Sequence, residues 1–158
     1  MLVSQRQNTK RRAAAAVELA VCLPFLLIIV SGIWEVGRMV QVQQLLANAA
    51  REGGRQASAG QKDATACRQY VVNYLNMNGL SGVTISMVTL TNVTAPARSD
   101  PSTANQLDQF RVTVAVPYSA VRWSTLSQIT STTTMVAVSD WYSMRDSNIT
   151  INTTIPTN

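Results

Sequence analysis

One apolar stretch near the N-terminus constrains this chain more than any other feature of its sequence. Residues 13–34 read AAAAVELAVCLPFLLIIVSGIW and contain a single charged residue, Glu18, close to the start. A helix needs about 20 mostly apolar residues to cross the hydrocarbon core of a bilayer, and its backbone groups must be satisfied within the segment. The stretch therefore predicts a transmembrane helix over residues 13–36, with the flanking parts of the chain on opposite sides of a membrane.

The charge on the N-terminal side of this stretch predicts its orientation. Residues 1–12 hold Arg6, Lys10, Arg11 and Arg12 and no acidic residue. Because Lys and Arg beside a first span remain on the cytoplasmic side, we expect a disordered cytoplasmic leader and an extracytoplasmic part beyond the span. The alternative is a cleaved secretory signal, whose apolar core is usually about 7–15 residues long. The run here is longer, which favours the anchor.

The net charge of +5 is an orientation signal rather than a sign of nucleic-acid binding. The chain has 13 Lys and Arg against eight Asp and Glu; four of the bases lie in residues 1–12, which leaves nine against eight beyond them. A nearly neutral outer part lacks the basic face that binds phosphates. We therefore expect membrane lipid around the span, and neither nucleic acid nor a small-molecule substrate as a partner.

The titratable and sulfur-containing residues argue against an enzyme. The chain has no histidine, which removes the usual general base and the commonest zinc ligand. It also has no CxxC pair and no phosphate-binding glycine loop, and Ser-Lys chemistry would depend on Lys62, the only lysine beyond the leader. Cys22 lies inside the span and Cys67 well beyond it, so the two Cα atoms cannot come within the about 7 Å that a disulfide needs. Cys67 is either a buried thiol, the commoner case and here a small core residue, or an intermolecular link. We predict no catalysis, no cofactor and no metal.

The helical pattern does not stop at the end of the span. Apolar residues recur at spacings of three and four on Met39, Val42, Leu46 and Ala49. Because the paired glycines at 53 and 54 weaken a helix, one long helix should run from about Ala13 to about Ala50, with a frayed end up to Ala59 as the alternative. A second helix is predicted over residues 63–78, with an N-cap at Asp63 and a glycine, Gly79, just beyond its end.

Period-two patterns after the second helix predict three strands. Apolar and polar residues alternate over residues 83–87 and 110–116, and residues 131–144 are rich in Thr, Val and aromatic side chains. Pro117 ends the middle strand, and residues 95–106 hold the prolines and small polar residues of a loop. Helices followed by strands predict an α+β fold, in which helices cover one face of a small antiparallel sheet.

These patterns divide the chain into five parts. They are a cytoplasmic basic leader (residues 1–12), the transmembrane helix (13–36), its extracytoplasmic continuation and linker (37–60), an extracytoplasmic α+β domain (61–145) and a loose C-terminal tail (146–158). The tail is polar and rich in Asn and Thr, which is typical of an unstructured terminus.

Four residues of the span and its edge have two interpretations each. Glu18 either is tolerated at the headgroup edge near the leader arginines or recognises a partner, since carboxylates in a membrane are costly and usually paired. Pro24 is either a tolerated kink or a melted turn. Glu35 and Arg38, one turn apart at the outer edge, form either a local ion pair or a contact with a partner.

A series of short motifs runs through residues 11–55. In order, they are Arg11-Arg12, Val17-Glu18-Leu19-Ala20, Leu23-Pro24, Gly32-Ile33-Trp34-Glu35-Val36-Gly37-Arg38, Gln43-Gln44-Leu45 and Asn48-Ala49-Ala50-Arg51-Glu52-Gly53. This order and spacing resembles the TadE-like family of the tight-adherence, or Flp-type, pilus system. The part beyond residue 60 carries no motif that matches.

The resemblance implies a pseudopilin-like role. Such proteins are single-pass proteins of the bacterial inner membrane with a cytoplasmic N-terminus, and they associate with other pilin subunits and the pilus assembly platform. A prepilin peptidase is expected to cut about five residues before the glutamate, which places the cut between Ala13 and Ala14. Ala13 stands where these proteins usually have glycine. We therefore predict processing at Ala13, Ala14 and Glu18, and assembly contacts at Glu18, Pro24, Glu35 and Arg38.

A second hypothesis is a membrane-anchored extracytoplasmic module that binds or senses a ligand and is unrelated to pili. The two hypotheses make different demands on the apolar helix. A tether can be exchanged for an unrelated anchor without loss of function, whereas a docking helix cannot.

Overall fold

Two compact units make up the chain in a computed structural model, which describes residues 3–121 and 133–145, with side chains from residue 11 onward. The units comprise residues 1–40 and residues 41–158. The predicted α+β fold is confirmed, since the described residues form a long N-terminal apolar helix, a second helix and a small antiparallel sheet. The predicted tail and the first two residues of the predicted third strand lie outside the described residues.

The first helix, α1 (Val3–Ala59), begins earlier than the sequence pattern predicts. The expectation of a disordered leader is wrong for residues 3–12, which are helical. These residues include neither Gly nor Pro, and their polar side chains have ordinary helix propensity. The helix also continues through Pro24.

The end of α1 also differs from the prediction. The helix does not stop near Ala50 but passes through Gly53 and Gly54 to Ala59, followed by Gly60 with a φ of +63°. Gly53 and Gly54 are both buried. A Cβ on Gly53 would clash with the Val71 side chain, and one on Gly54 with the Trp141 ring. The glycine pair therefore permits close packing and does not end the helix.

The second helix, α2 (Ala64–Met77), agrees with its predicted caps. The Asp63 carboxylate accepts a hydrogen bond of 2.6 Å from the Ala66 backbone N–H, as an N-cap residue does. Gly79 has a φ of +85°, the left-handed conformation that glycine adopts readily beyond a helix C-terminus. Cys67 is buried on the inner side of α2, which confirms its predicted place in the core.

Three antiparallel strands follow in the order β1 (Val88–Asn92), β2 (Gln109–Pro117) and β3 (Thr134–Tyr142). The prediction of a strand over residues 83–87 is wrong. Residues 85–87 form a single 3₁₀ turn, closed by a bond from the Met87 N–H to the Thr84 carbonyl. β1 begins at Val88, five residues after the predicted start, and its residues Val88 and Leu90 point inward. The other two strands agree with their predicted positions.

The core lies between the helices and one face of the sheet. The inward-facing residues of β2 are Phe110, Val112, Val114 and Val116, and all are at most 2% exposed. Registered pairing aligns Val88 with Val114 and Val114 with Ala137, which continues the apolar layer across all three strands. Residues 42–57 of α1 and the inner side of α2 cover this layer.

A buried carboxylate organises the loop between β1 and β2. Asp108 accepts hydrogen bonds of 3.0 Å from the Asn92 side chain and from the Asn105 backbone N–H. Arg98 lies 3.7 Å from the same carboxylate oxygen. These contacts hold the predicted loop, which contains two short 3₁₀ turns, as a compact segment.

Candidate assembly surface of the N-terminal helix

The first part of α1 exposes an uninterrupted apolar surface, which we call the apolar helix surface and define as residues 17–36. Every large apolar side chain in it is exposed, from 46% at Leu23 to 69% at Ile28 and Ile33. Burying one such side chain is worth about 1.5–3 kcal/mol. This is the only helix within the described residues that is long and apolar enough to cross a bilayer. The surface fits a single-pass membrane anchor.

The predicted processing and assembly residues lie on this helix. Ala13, Ala14, Glu18 and Pro24 are all exposed. Ala14 and Glu18 are four residues apart, so they lie one above the other on the same side of the helix. The structure places these predicted residues on the exposed first part of α1. Their roles in processing and assembly stay predictions.

Glu18 is the only charged side chain in the apolar helix surface before its outer end. Ion pairs in the described residues include Arg55 with Glu52, Arg98 with Asp108 and Arg111 with Asp140. A carboxylate surrounded by lipid is costly unless it is paired, and the partner of Glu18 stays a prediction.

Glu35 and Arg38 mark the other end of the surface. Both side chains are half-buried, in contrast to the fully exposed Val36 and Gly37 between them. Their spacing of three residues places them on one side of the helix. The two predicted interpretations, a local ion pair and a contact with a partner, stay open.

The second part of α1 belongs to the core of the second unit. Val42, Leu46, Ala49 and Ala50 are completely buried. On the outer side of this segment, the Arg55 guanidinium donates hydrogen bonds of 2.9 and 2.6 Å to the Glu52 carboxylate. This contact, ahead of a smaller one from Gln56, lowers the pKa of Glu52 from 4.5 to about 2.

Polar groups of α1 also bind the outer edge of β3. The Gln43 side chain donates to the Val136 carbonyl at 2.9 Å, and the Ser58 hydroxyl donates to the Tyr142 carbonyl at 2.6 Å. In return, the Ser58 carbonyl accepts from the Met144 N–H at 3.0 Å. Since unpaired strand edges invite pairing with other chains, α1 protects this edge of the sheet.

The sequence analysis did not predict these contacts or the packing of the Trp141 ring against Gly54. Gln43 and Ser58 are ordinary polar residues in a helical pattern, and nothing in their spacing marks an acceptor 93 or 84 residues away. The glycine pair did carry a signal, because adjacent glycines inside a helical pattern indicate close approach of another element as well as a helix end.

The described residues contain no group of three or more His, Cys, Asp or Glu side chains arranged to hold a metal ion. The small void between α1, α2 and the sheet is lined by Gly53, Cys67, Val71, Leu90 and Val112, among others. This void is too small to hold a water molecule. We assign it to core packing.

The first part of α1 is exposed and apolar, and its second part packs into a small α+β fold. These two features fit a class of proteins in which one domain is held by a single-pass membrane anchor. Residues 13–55 match the family model described as TadE-like protein. This confirms the TadE-like resemblance, over 43 of 158 residues, and a TadE-like region implies a membrane component related to the tight-adherence pilus. No match was found among curated proteins or among solved structures.

Proposed function

We propose that this chain is a minor pseudopilin, or another membrane-anchored component, of a tight-adherence pilus assembly or secretion system in the bacterial inner membrane. It acts structurally rather than as an enzyme. Its N-terminus lies in the cytoplasm and the unit of residues 41–158 lies outside. Its partners are pilin or pseudopilin subunits and the assembly platform, with lipid around the apolar helix surface.

One observation carries this proposal. The region that matches the family, residues 13–55, lies within one helix. A passive tether needs only the apolar part of that region, yet the match continues through the buried Ala49 and Ala50 to the tightly packed Gly53. The matched region therefore includes both the anchor and the part of α1 that belongs to the folded domain.

Glu18 supplies the recognition in this proposal. If a prepilin peptidase cuts between Ala13 and Ala14, the new amine of one subunit pairs with Glu18 of its neighbour as the apolar helices stack. Mutual neutralisation lowers the cost of holding both charges in lipid. In a chain that is not cleaved, the arginines of the leader pair with Glu18 instead of the new amine. Pro24, Glu35 and Arg38 provide further contacts along the same helix.

An exchange of the anchor tests the structural role. Residues 13–36 are replaced by an unrelated transmembrane segment of equal length, and pilus formation and membrane location are measured in the natural host. We expect normal location and loss of pili, because the helix itself is the contact surface. A chain that still supports pili after the exchange would show that the helix is a replaceable tether and would contradict its role as the contact surface.

Substitution of Glu18 provides a finer control. Glu18→Gln keeps the size of the side chain and removes its charge, whereas Glu18→Asp keeps the charge. If the carboxylate pairs with a neighbouring cation, Glu18→Gln should greatly reduce pilus formation and Glu18→Asp should retain a substantial part of it. Equal effects of the two variants would contradict a role for charge.

The mass of the membrane-extracted protein tests processing. Cleavage between Ala13 and Ala14 removes the first 13 residues, and Ala13→Gly should increase the cleaved fraction, because glycine lets the backbone approach a peptidase more closely. An intact leader in both proteins, in a host with functional pili, would remove the processing step and leave the structural role to be judged by the exchange of the anchor.

A further inference from the structure

The sheet has a second face that the helices do not cover, which we call the outer face. It consists of the side chains at odd-numbered positions of β1 and β2 and even-numbered positions of β3. On β3, Val136, Val138 and Tyr142 are 46%, 54% and 56% exposed. Their registered neighbours on β2 are Ala115, Thr113 and Gln109, so apolar and β-branched side chains continue across the strands.

The outer face is electrically neutral. Its only charged strand residues are Arg111 and Asp140, which lie opposite each other in the register. The guanidinium donates hydrogen bonds of 2.8 and 2.7 Å to the two carboxylate oxygens. A strongly charged partner would find no complementary charge here, whereas a surface of the same composition would fit without burying an unpaired ion.

We propose that the outer face is the interface between two copies of this chain, packed sheet against sheet. In a two-fold arrangement the same patch serves both subunits, and a neutral face with one internal ion pair is compatible with itself. β-Branched side chains have restricted rotamers, so little conformational entropy is lost when two such faces meet. Packed sheets are separated by about 10 Å.

The size of the outer face sets the strength of this contact. β2 and β3 have nine residues each and β1 has five. Nine-residue strands are about 30 Å long and three strands about 14 Å wide, which gives less than about 400 Å² per copy. A stable dimer usually buries about 800 Å² per partner, so the face alone supports weak association in solution. Confinement of all copies to one membrane raises their effective concentration, and this step rests on the anchor in the proposed function.

Thiol cross-linking of the full chain in membranes tests the interface. In a Cys22→Ala background, single cysteines replace Thr91, Thr113 or Val138 on the three strands of the outer face. Thr65→Cys and Met77→Cys on α2 are the controls, since both natural side chains are exposed. The protein is produced alone in a bacterial host without tight-adherence genes and treated with a bis-maleimide spanning about 10 Å, the distance between packed sheets.

We expect a product of twice the chain mass, with a yield at least five-fold higher from outer-face cysteines than from the controls. Adding Val138→Glu to Thr113→Cys should reduce the yield at least three-fold, because the two copies would oppose like charges. Adding Met77→Glu, which changes an exposed apolar residue elsewhere in the domain, should leave it unchanged.

Three results would overturn the inference. They are equal yields from outer-face and control cysteines, a product whose mass shows a different protein on the outer face, and outer-face cysteines that a monofunctional maleimide cannot label in the detergent-dissolved monomer. The last would show that the face is covered by the chain itself. Membrane fractionation of the same cells tests the membrane anchor separately. Failure of the proposed anchor is thereby distinguished from absence of the interface.

Discussion

Glu52 is an acidic residue of the second unit whose pKa the fold lowers. Its pKa falls to about 2 because Arg55 binds both carboxylate oxygens. A folded-state pKa below the unfolded value of 4.5 means that the stabilisation is complete above pH 4.5 and is lost as the pH falls toward 2. The pair lies in the segment of α1 that packs on the core, so this loss should be visible in thermal unfolding.

We therefore expect the unfolding temperature of the full chain in detergent to fall more steeply between pH 4.5 and pH 2 than that of Glu52→Gln. The variant cannot titrate at this position, while Asp140, whose pKa is also lowered by its partner Arg111, titrates in both proteins. Circular dichroism during heating provides the measurement. Parallel curves for the two proteins would contradict the prediction.

Cys67 should be unreactive in the folded protein. Burial raises the pKa of its thiol, an effect larger than that of the nearby charges, and the thiolate is the reactive form. In a Cys22→Ala chain, we expect maleimide to label Cys67 at least ten-fold more slowly in native conditions than in denaturant. Thr65→Cys, on the exposed side of the same helix, should label rapidly in both conditions. Similar rates for the two cysteines would show that Cys67 is accessible.

At the scale of the elements, the contact between α1 and β3 depends on the absence of a side chain at position 54. Gly54→Ala would place a methyl group against the Trp141 ring. Overpacking of this kind costs about 1–3 kcal/mol and opposes the gain of up to about 1 kcal/mol from better helix propensity. We expect net destabilisation in the natural background, measured by denaturant unfolding.

The same substitution in a Trp141→Ala background provides the control. With the ring removed, only the helix propensity remains, so Gly54→Ala should become neutral or stabilising. An identical effect in both backgrounds would show that Trp141 does not set the space around the helix. The two single variants and the double variant form a double-mutant cycle that isolates the contact.

The elements that the sequence predicted well are those with a strong local pattern. The alternation in residues 110–116 and the caps of α2 at Asp63 and Gly79 are read from neighbouring residues, and the structure confirms them. The predictions failed where a distant contact overrides local preference. Packing against β3 keeps α1 helical through Gly54, and a 3₁₀ turn over residues 85–87 places the start of β1 five residues after its predicted start.

Only part of the candidate site could be predicted from the sequence. The composition of the apolar stretch predicted the apolar helix surface and the position of Glu18 within it, because a long, nearly uncharged run has few alternatives to a transmembrane helix. The edge contacts of Gln43 and Ser58 with β3 were not predictable, since they join residues far apart in sequence. The outer face could be recognised only after the register of the three strands was known.

At the scale of the whole molecule, the basic residues of the first twelve positions should set the orientation in the membrane. Replacing Arg6, Lys10, Arg11 and Arg12 by Gln removes the bias that keeps the N-terminus in the cytoplasm. We expect the activity of an alkaline phosphatase fused after residue 145 to fall several-fold, because this reporter is active only outside the cytoplasm.

Replacement of Arg51 and Arg68 by Gln removes two basic residues that lie beyond the proposed span, and it should leave the reporter activity unchanged. An equal loss of activity from both sets of substitutions would point to a general defect in expression or folding. Full activity after removal of the leader charges would contradict the proposed role of these residues in topology.

The contact of Ser58 with Tyr142 has a consequence for synthesis of the chain. The two residues are 84 positions apart, and a ribosome adds about 5–20 residues per second. The buried stripe of α1, including Val42 and Leu46, is translated before the rest of the domain, and the end of β3 follows Ser58 by roughly 4–17 s. During this interval the nascent chain displays an apolar patch that a chaperone can hold, and a chain truncated before β3 would display it permanently and become a target for proteolytic quality control.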